Sequence, residues 1–333
     1  AREVWEARNG YLPAPPPTPD ERAAIAAVVE RLGGNPPFGA PSYAGQMLKP
    51  PANVAWVASA LTMLVNPNNH ALDGGPPTSH MEREAVSSLA AMLGFGAHLG
   101  HLCASGTIAN LEALWVAREM TAGRPVAVAS NAHYTHARTC GVLGMHALRV
   151  AVDRHGRMSV ADLRRVLDVA PVGTVVATAG TTGLGAVDPI HEIAALCRER
   201  GVRLHVDAAY GGYFALLAGR AAPLVEPEPF AAIARADSVV VDPHKHGLQP
   251  YGCGCVIFAD ARVASLYAHD SPYTYFTSTA PHLGEITLEC SRAGASAAAL
   301  WATLQAVPLV ADGAMGDRLA AGRRAALAVY DGL

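Results

Sequence analysis

Short apolar runs rich in β-branched residues alternate with helical patterns from about residue 53 onward, and small residues separate the two kinds of segment. The apolar runs are nearly continuous, which is typical of parallel strands that are covered on both faces. This alternation predicts βα units, and therefore an α/β fold with a mostly parallel central sheet and helices on both faces. The predicted strands span residues 126–129, 148–152, 174–178, 203–206, 238–241 and 254–258, and the predicted helices span residues 82–93, 108–120, 160–168, 189–200 and 294–306.

Proline dominates the segment YLPAPPPTP at residues 11–19. Because proline fixes φ and lacks a backbone donor, we expect an extended arm there. Asp20 is then the expected N-cap of a helix that Gly33 and Gly34 end. A further helix is predicted at residues 317–331.

Charged residues make up 16% of the 333 residues, against roughly 25% in ordinary soluble domains, whereas 51% are hydrophobic. So much apolar surface must be buried or shared, which predicts an obligate oligomer. The 25 basic and 28 acidic residues are scattered and sum to −3, so the chain offers no basic surface for nucleic acid.

Two long uncharged stretches, residues 50–72 and 85–111, reach the roughly 20 residues that a membrane span needs. Pro, Gly, Asn and His interrupt them, so we expect buried core and no membrane partner. Charged residues within the first eight positions leave no apolar region of a secretory signal. The six cysteines lack metal-binding spacing, so we expect buried free thiols, no metal site and a reducing cytoplasm.

Lysine is rare in this chain: only Lys49 and Lys245 among the 25 basic residues are lysine. Arginine keeps its proton in proteins, whereas lysine can lose it and act as an amine nucleophile. Lys245 lies in VVVDPHKHG, just beyond a predicted strand, and strand ends of open α/β sheets commonly carry active sites. The alternative for Lys245 is an ordinary surface lysine. Lys49, in a proline-flanked loop, is interpreted as structural.

A carboxylate follows another predicted strand, in HVDAAYGG. Asp207 is followed by Ala208 and Ala209, which are small enough for a flat ring to lie against the backbone. A carboxylate there favours the protonated form of a ring nitrogen beside it. The alternative is an aspartate that caps a turn.

A turn of small residues leads into a helix in ASGTIANLEALW. Ser105, Gly106 and Thr107 therefore lie at a helix N-terminus, where free backbone N–H groups bind phosphate. Every helix has such an end, so this motif gains weight only beside the other two. Together, a phosphate turn, a ring-facing carboxylate and an amine nucleophile are what pyridoxal 5′-phosphate requires.

The chain resembles the group II pyridoxal-phosphate decarboxylases, which include glutamate, aromatic-L-amino-acid and archaeal tyrosine or aspartate decarboxylases. The resemblance covers about residues 35–304 and is carried most strongly by DPHK after HVDAA. The supporting motifs are NPNNH, PPTSHMEREAV, ASGTIANLEALWVAR, SNAHYTHA, TAGTTGLGAVDPI and LECSRAGASAAALW.

The resemblance implies the type I pyridoxal-phosphate fold, which is the fold of aspartate aminotransferase. We expect an N-terminal arm and helix in residues 1–52, a large cofactor-binding domain in residues 53–310 and the start of a connecting helix in residues 311–333. The family continues into a C-terminal small domain, which we expect this chain to lack. The family's architecture also implies a homodimer with the active site at the interface.

Roles for individual residues follow from the resemblance. Lys245 would hold the cofactor covalently, and Asp207 would pair with the pyridinium nitrogen. His133 would stack on one face of the ring, with Ala209 packed on the other.

The phosphate is expected to be held by two turns. At the position of Asp242, in the second of these turns, many members of the family have asparagine. The expected phosphate-binding residues are Ser105, Gly106, Thr107, Asp242 and His244. Either Thr181 or Thr182 of TAGTTG would lie close to the cofactor.

The implied reaction converts an L-amino acid to its amine and CO2. Aromatic and acidic substrates both fit the family, and the low charge of the chain favours an aromatic one. A carbon–carbon lyase or an aminotransferase on the same fold is an alternative, and so is a non-catalytic truncated homologue.

The segment SPYTYFTSTAPHLGE at residues 271–285 is too irregular for a helix or strand and is long for a loop. We expect a mobile loop that closes over the cofactor, excludes water and delivers a proton to Cα. The candidate donors are Tyr273, Tyr275 and His282, because a general acid must come within about 3 Å of the proton's path. The alternative is an ordered interface segment whose tyrosines pack against a partner subunit.

Overall fold

A seven-stranded sheet forms the centre of the fold in this computed structural model, which describes residues 10, 15–40, 42–43, 45–47, 49–268 and 286–332. Its strand order is β1-β7-β6-β5-β4-β2-β3, and β7 alone runs antiparallel to its two neighbours. The predicted α/β fold with a mostly parallel sheet is confirmed. The strands are β1 (Leu99–Cys103), β2 (Val126–Ala129), β3 (Ala147–Val150), β4 (Thr174–Thr178), β5 (Arg203–Asp207), β6 (Ser238–Val241) and β7 (Gly254–Phe258).

Helices connect the strands and cover the sheet. In chain order, the described residues form α1 (Pro19–Leu32), α2 (Asn53–Met63), α3 (Pro76–Met92), α4 (Gly106–Met120), α5 (Thr135–Val142), α6 (Val160–Val169), α7 (Ile190–Arg200), α8 (Ala215–Ala218), α9 (Pro227–Ala231), α10 (Ala264–Tyr267), α11 (Gly294–Ala306) and α12 (Ala314–Asp331). Short 3₁₀ turns lie at Gly212–Phe214, Ala232–Arg235 and Ala261–Val263.

The strands β2, β4, β6 and β7 each contribute to two hydrophobic cores. In β4, Val175 and Ala177 pack in the core that also contains α3, α6 and α7, whereas Val176 packs in the core beneath α4 and α5. Because successive strand residues point to opposite faces, both faces demand apolar side chains. This two-sided burial is the physical reason that the strands are continuous apolar runs in the sequence.

Four predicted strands, those at residues 126–129, 174–178, 238–241 and 254–258, have the observed bounds. The strand β1 was not predicted, because Gly100 and His101 interrupt its apolar run. His101 is nonetheless fully buried, since Glu112 of α4 accepts a hydrogen bond from it. A buried polar pair therefore hid a strand from the periodicity argument.

The N-cap of α1 is Thr18, and the prediction of Asp20 was wrong. Thr18 accepts a hydrogen bond from the Glu21 backbone N–H through its side chain, and the Glu21 side chain accepts one from the Thr18 backbone N–H. This capping box places Pro19, which has no N–H to satisfy, at the first helical position. Of the predicted arm at residues 11–19, residues 11–14 lie outside the described part.

The two uncharged stretches differ in their burial. Residues 85–111 contribute many buried core positions, whereas α2 in the first stretch buries only Ala55. Trp56, Leu61 and Met63 of α2 are 51%, 43% and 59% exposed, so the expectation of buried core is wrong for this helix. The helix is mostly apolar and packs against α11, and its sequence could not show which side is covered.

Five of the six cysteines are buried free thiols, but Cys290 is exposed, which corrects the expectation for that residue. Among the described helices, none has the length and the apolar character that a membrane crossing requires. The chain separates into the units Ala1–Pro50 and Pro51–Leu333. The predicted division at residues 52 and 310 stays a prediction.

The strands β1, β2, β4, β5 and β6 all point the same way, since β1 and β6 are each antiparallel to β7. Their carboxyl ends therefore meet at one edge of the sheet. In open α/β sheets, ligands bind at this edge.

Candidate active site

A cavity at the carboxyl edge of the sheet collects most of the predicted site residues. It is lined by turns that follow β1, β2, β4, β5 and β6. The predicted residues in its wall are Ser105, Gly106, Thr107, His133, Thr182, Asp207, Ala209, Asp242, His244 and Lys245. Its wall also contains residues that were not predicted, namely Asn110, Tyr134, Thr135, Thr178, Gly180 and Tyr210.

The sequence did not distinguish Thr181 from Thr182 as the residue close to the cofactor. Of the two, only Thr182 lines the cavity. Thr181 is buried, and its Oγ1 accepts a hydrogen bond from the Ala186 backbone N–H at 3.1 Å, so it stabilises its own turn. The predicted proton donors Tyr273, Tyr275 and His282 lie outside the described residues.

Asp207 ends β5 and is nearly buried, with 7% of its side chain exposed. Its Oδ1 accepts a hydrogen bond from the Ala209 backbone N–H at 3.1 Å, and its Oδ2 is 2.8 Å from Nε2 of His136. Burial alone would raise the pKa of the Asp207 carboxyl, but the hydrogen bond and charge of His136 outweigh it and hold the pKa well below its usual range. The carboxylate is therefore ionised at neutral pH.

His136 was missed by sequence reasoning, although it stands three residues after His133 in SNAHYTHA. It lies in the first turn of α5 and is fully buried. A second histidine at helical spacing from a predicted site residue was the available signal. Its partner could not be named, because the two residues are 71 positions apart.

A second buried histidine connects β5 to the phosphate turn. Nδ2 of Asn110 donates to the Gly106 carbonyl at 2.8 Å, so Oδ1 of Asn110 accepts from Nε2 of His205 at 2.8 Å. Nδ1 of His205 then accepts from the Ser238 hydroxyl at 2.9 Å. Burial lowers the pKa of His205 to about 3, so its ring is neutral and its tautomer is fixed by this chain of hydrogen bonds.

Lys245 lies in the turn after β6 and pairs with a buried carboxylate. Its Nζ is 2.9 Å from Oδ2 of Asp242, and Nε2 of His244 is 3.5 Å from the same oxygen. Burial raises the pKa of the Asp242 carboxyl, although Lys245 and His244 act in the opposite direction. The ion pair places the amine of Lys245 in the cavity with 22% of its side chain exposed.

The turn of Ser105, Gly106 and Thr107 lies at the N-terminus of α4, as the sequence suggested. Ser105 is the N-cap of α4 and accepts a hydrogen bond from the Ile108 backbone N–H at 3.3 Å. A Cβ on Gly106 would lie 2.5 Å from Oδ2 of Asp242, so only glycine fits between this turn and the turn after β6. The helix N-terminus thus faces the cavity within reach of Lys245, which favours an anion there.

His133 offers a flat, neutral face to the cavity. It is half-buried, and burial lowers the pKa of its ring. Its Nδ1 accepts a hydrogen bond from the Thr135 backbone N–H at 3.3 Å, which fixes the ring's orientation.

The residues present fit pyridoxal phosphate. Within the described residues, the cavity wall contains buried polar atoms that have no hydrogen-bond partner: Oγ1 of Thr135, Oγ1 of Thr178, Nδ1 of His244 and Oδ1 of Asp242. Buried polar atoms are normally paired, so unpaired ones around a cavity indicate a polar occupant. The helix N-terminus, the amine and the ionised carboxylate match the phosphate, the aldehyde and the ring nitrogen of this cofactor.

A separate buried cluster contains His101, Cys103 and Glu112, whose donor atoms lie within 4.8 Å of one another and could hold a metal ion. The spacing of these residues along the chain did not indicate the cluster, because Glu112 comes from the helix after β1. Glu112 accepts hydrogen bonds from His101 at 2.9 Å and from the Leu288 backbone N–H at 3.4 Å. We interpret the cluster as a hydrogen-bonded pair that joins β1, α4 and residue 288.

The sequence matches the family description "Pyridoxal-dependent decarboxylase conserved domain" over residues 40–310, which is most of the chain. The chain belongs to the pyridoxal-dependent decarboxylase family. The predicted resemblance is thereby confirmed, and pyridoxal phosphate is the cofactor of this family.

Curated relatives of this pyridoxal-dependent decarboxylase homologue include two microbial enzymes. The chain is 33% identical over 231 residues to a probable L-tyrosine/L-aspartate decarboxylase of Methanothermobacter thermautotrophicus, which covers 68% of this chain and 61% of that protein. It is 29% identical to an L-tyrosine decarboxylase of Enterococcus faecium, with 91% of this chain and 68% of that protein covered. The chain thus spans about three fifths of the length of the first of these relatives.

Solved structures show the same fold. The crystal structure of mouse CSAD superposes with a TM-score of 0.79 at 24% identity and covers 92% of this chain and 67% of that one. The Oryza sativa TDC structure with PLP and tryptamine has a TM-score of 0.78 at 18% identity, covering 92% and 68%. The predicted type I fold of the pyridoxal-dependent decarboxylases is confirmed.

Proposed function

We propose that this protein is a pyridoxal-phosphate-dependent carboxy-lyase that converts an L-amino acid to its amine and CO2. The observation that carries the proposal is the meeting of three groups in one cavity: the amine of Lys245, the ionised carboxylate of Asp207 and the N-terminus of α4 at Ser105. Membership of the decarboxylase family supports the reaction type. We keep both aromatic and acidic amino acids as candidate substrates and favour aromatic ones.

The residues of this chain would hold the cofactor at its two ends. Ser105, Gly106 and Thr107 would bind the phosphate through the helix N-terminus, and Lys245 would bind the aldehyde carbon covalently. Pyridoxal phosphate supplies, when bound, a conjugated ring that accepts the electron pair left on Cα as CO2 departs. His133 and Ala209 would hold the ring of the cofactor between them.

Asp207 would keep the ring nitrogen protonated, because a nearby negative charge favours the cationic form. Asp242 would keep Nζ of Lys245 close to the reacting carbon through their 2.9 Å ion pair. The amine of Lys245, when free, would hold or move a proton at Cα of the substrate. Tyr273, Tyr275 and His282 stay the predicted alternative donors to that carbon.

A panel of the twenty amino acids tests the reaction. The full chain, loaded with pyridoxal phosphate, should release CO2 and the matching amine from one or a few of them. Formation of a keto acid or an aldehyde without CO2 would replace the decarboxylase with an aminotransferase or a carbon–carbon lyase. No reaction with any amino acid would favour a non-catalytic homologue.

Borohydride reduction followed by peptide mass mapping tests the covalent site. We expect the cofactor mass on the peptide that contains Lys245. Lys49→Ala is the matched control, because it removes the other lysine of the chain and should leave the labelling intact. Label on Lys49 instead would contradict the assignment.

We further propose a homodimer whose active site lies at the interface. The exposed apolar side chains Trp56, Leu61 and Met63 on α2 and the low charge of the chain support a partner surface. Light scattering should give twice the chain mass of 34.5 kDa at micromolar concentration. A monomer with full activity would refute the dimer.

We propose a cytoplasmic location, in keeping with the free thiols of all six cysteines. Alkylation in intact cells, followed by mass spectrometry of the denatured chain, should find every cysteine reduced. Disulfide-linked cysteines would contradict this location.

A further inference from the structure

The carboxylate of Asp207 is held by a side chain from a different part of the chain. Nε2 of His136 lies 2.8 Å from Oδ2 of Asp207, and the side chains are 1% and 7% exposed. A charge-assisted hydrogen bond of this length in a buried setting is among the strong ones. The packing of α5 against the sheet creates it, since the residues are 71 positions apart.

The other groups near Asp207 cannot replace this contact. Its Oδ1 accepts one hydrogen bond from the Ala209 backbone N–H at 3.1 Å. Both ring nitrogens of His205 are occupied, by Asn110 and Ser238. Among the described residues, His136 is therefore the side chain that hydrogen-bonds this carboxylate.

The contact decides where a shared proton resides. A buried carboxylate without a partner takes up a proton, because burial disfavours its charged form. A protonated Asp207 could no longer favour the cationic form of a ring nitrogen beside it. As the Asp207 carboxylate becomes less basic, a proton shared between this carboxylate and the ring nitrogen moves to the ring nitrogen.

We propose that His136 is a positioning residue, which holds the Asp207 carboxylate ionised and oriented so that the ring nitrogen of bound pyridoxal phosphate stays protonated. This inference rests on the proposed function, because it requires Asp207 to face that nitrogen. His136 does not itself touch the cavity: it is absent from the lining residues among the described part of the chain.

The test is the ¹⁵N chemical shift of pyridoxal phosphate that is labelled at its ring nitrogen and bound to the protein. In the parent chain the shift should lie in the pyridinium range. His136→Phe and His136→Leu remove the donor and should move the shift toward that of neutral pyridine. The two differ in size, so a failure of one to fold leaves the other.

His136→Gln is the rescue variant. Its side-chain N–H reaches a position close to that of Nε2 of histidine and restores the hydrogen bond. We expect its shift to lie nearer that of the parent. The kcat of the removal variants should fall about tenfold or more while KM changes little, as for other residues that orient a reacting group.

Cys140→Ala is the matched control. Cys140 lies one turn further along α5 and is equally buried, and its pKa is raised by burial alone. Its truncation perturbs the same helix without touching Asp207, so the ¹⁵N shift should stay that of the parent. A shift equal to that of the removal variants would assign the effect to the packing of α5 and overturn the inference.

The outcomes separate the two proposals. If the parent releases CO2 but His136→Phe and His136→Leu keep the pyridinium shift and the parent kcat, the inference is overturned and the proposed function stands. If the parent releases no CO2, the proposed function fails, whereas the ¹⁵N shift still reports on His136. A neutral ring nitrogen in the parent overturns the inference in either case.

Discussion

Two aspartates follow neighbouring strands and line the same cavity, yet their surroundings drive them in opposite directions. Asp207 at the end of β5 has a pKa well below its usual range, because the His136 interaction outweighs burial. Asp242 after β6 has a raised pKa, because burial outweighs Lys245 and His244. Both are buried, so burial alone does not decide the charge.

The distribution of partners over the two oxygens explains the difference. Asp207 has one hydrogen bond on each oxygen, from His136 and from the Ala209 backbone. Lys245 and His244 both approach Oδ2 of Asp242, and its Oδ1 has no partner among the described residues. A buried carboxylate is thus stabilised as an anion when both of its oxygens are satisfied.

The largest expected effect comes from removing the cation on the Asp242 side. Lys245→Ala should abolish covalent cofactor binding and lower kcat on the order of a thousandfold or more, as for other covalent catalytic groups. Peptide mapping after borohydride reduction and a CO2 assay measure both effects. A variant that keeps measurable label and turnover near the parent level would show that another amine holds the cofactor.

On the other side of the comparison, Asp207→Asn should retain the cofactor but lower kcat by about a hundredfold. An amide carries no charge to keep the ring nitrogen protonated, and losses of this size are typical for an electrostatic group at a reacting centre. Absorbance of the bound cofactor and the CO2 assay give the two quantities. Decarboxylation within a few-fold of the parent would refute the role of Asp207.

Asp242→Asn should lower kcat by at most about tenfold, as for a residue that orients another. The carboxylate positions Lys245 and already has a raised pKa, so its charge contributes less than that of Asp207. The dissociation constant for pyridoxal phosphate should stay the same or decrease, because a negative charge leaves the phosphate turn. A larger loss of kcat than in Asp207→Asn would reverse the ranking of the two aspartates.

The smallest effect concerns stability and the neutral histidine beside Asp207. His205 has a pKa of about 3 when folded and an ordinary value near 6.5 when unfolded, so the unfolded chain binds more protons between these limits. The free energy of unfolding therefore falls as pH decreases below 6.5, by up to about 2 kcal/mol between pH 6.5 and 5.

His205→Gln lacks this titration, so its unfolding free energy should change less between pH 7 and 5 than that of the parent. Urea unfolding at several pH values measures the two slopes. Equal slopes would mean that His205 is charged in the folded protein or stays neutral in both states.

The sequence predicted those parts of the fold that depend on local patterns. Continuous apolar runs located β2, β4, β6 and β7 with their observed bounds, because two-sided burial leaves a signal within each run. β1 was not predicted, because His101 is buried only through its pairing with Glu112 on another element. The exposure of one side of α2 was not predicted for a related reason: the burial of a helix depends on which other elements cover it.

The candidate site likewise contains residues with a local sequence signal and one residue without such a signal. Asp207 and Lys245 could be singled out because each follows a predicted strand, and Ser105 because it precedes a predicted helix; the cavity collects all three. Their roles stay predictions. His136 could not be assigned, because a hydrogen bond across 71 positions has no local signature.

The order of the strands in the sheet also bears on how the protein is made. β1, which precedes the phosphate turn, lies at the edge of the sheet and pairs there with β7. Among the described strands, β7 is the last to be synthesised, and it ends at residue 258. The earlier strands can associate during synthesis, but β1 joins the sheet only through a partner nearly half the chain away, which is a slow class of contact to form. We therefore expect the turn at Ser105 to reach its place opposite Lys245 late in folding. Because both residues line the cavity, the chain would bind the cofactor only after the sheet is complete.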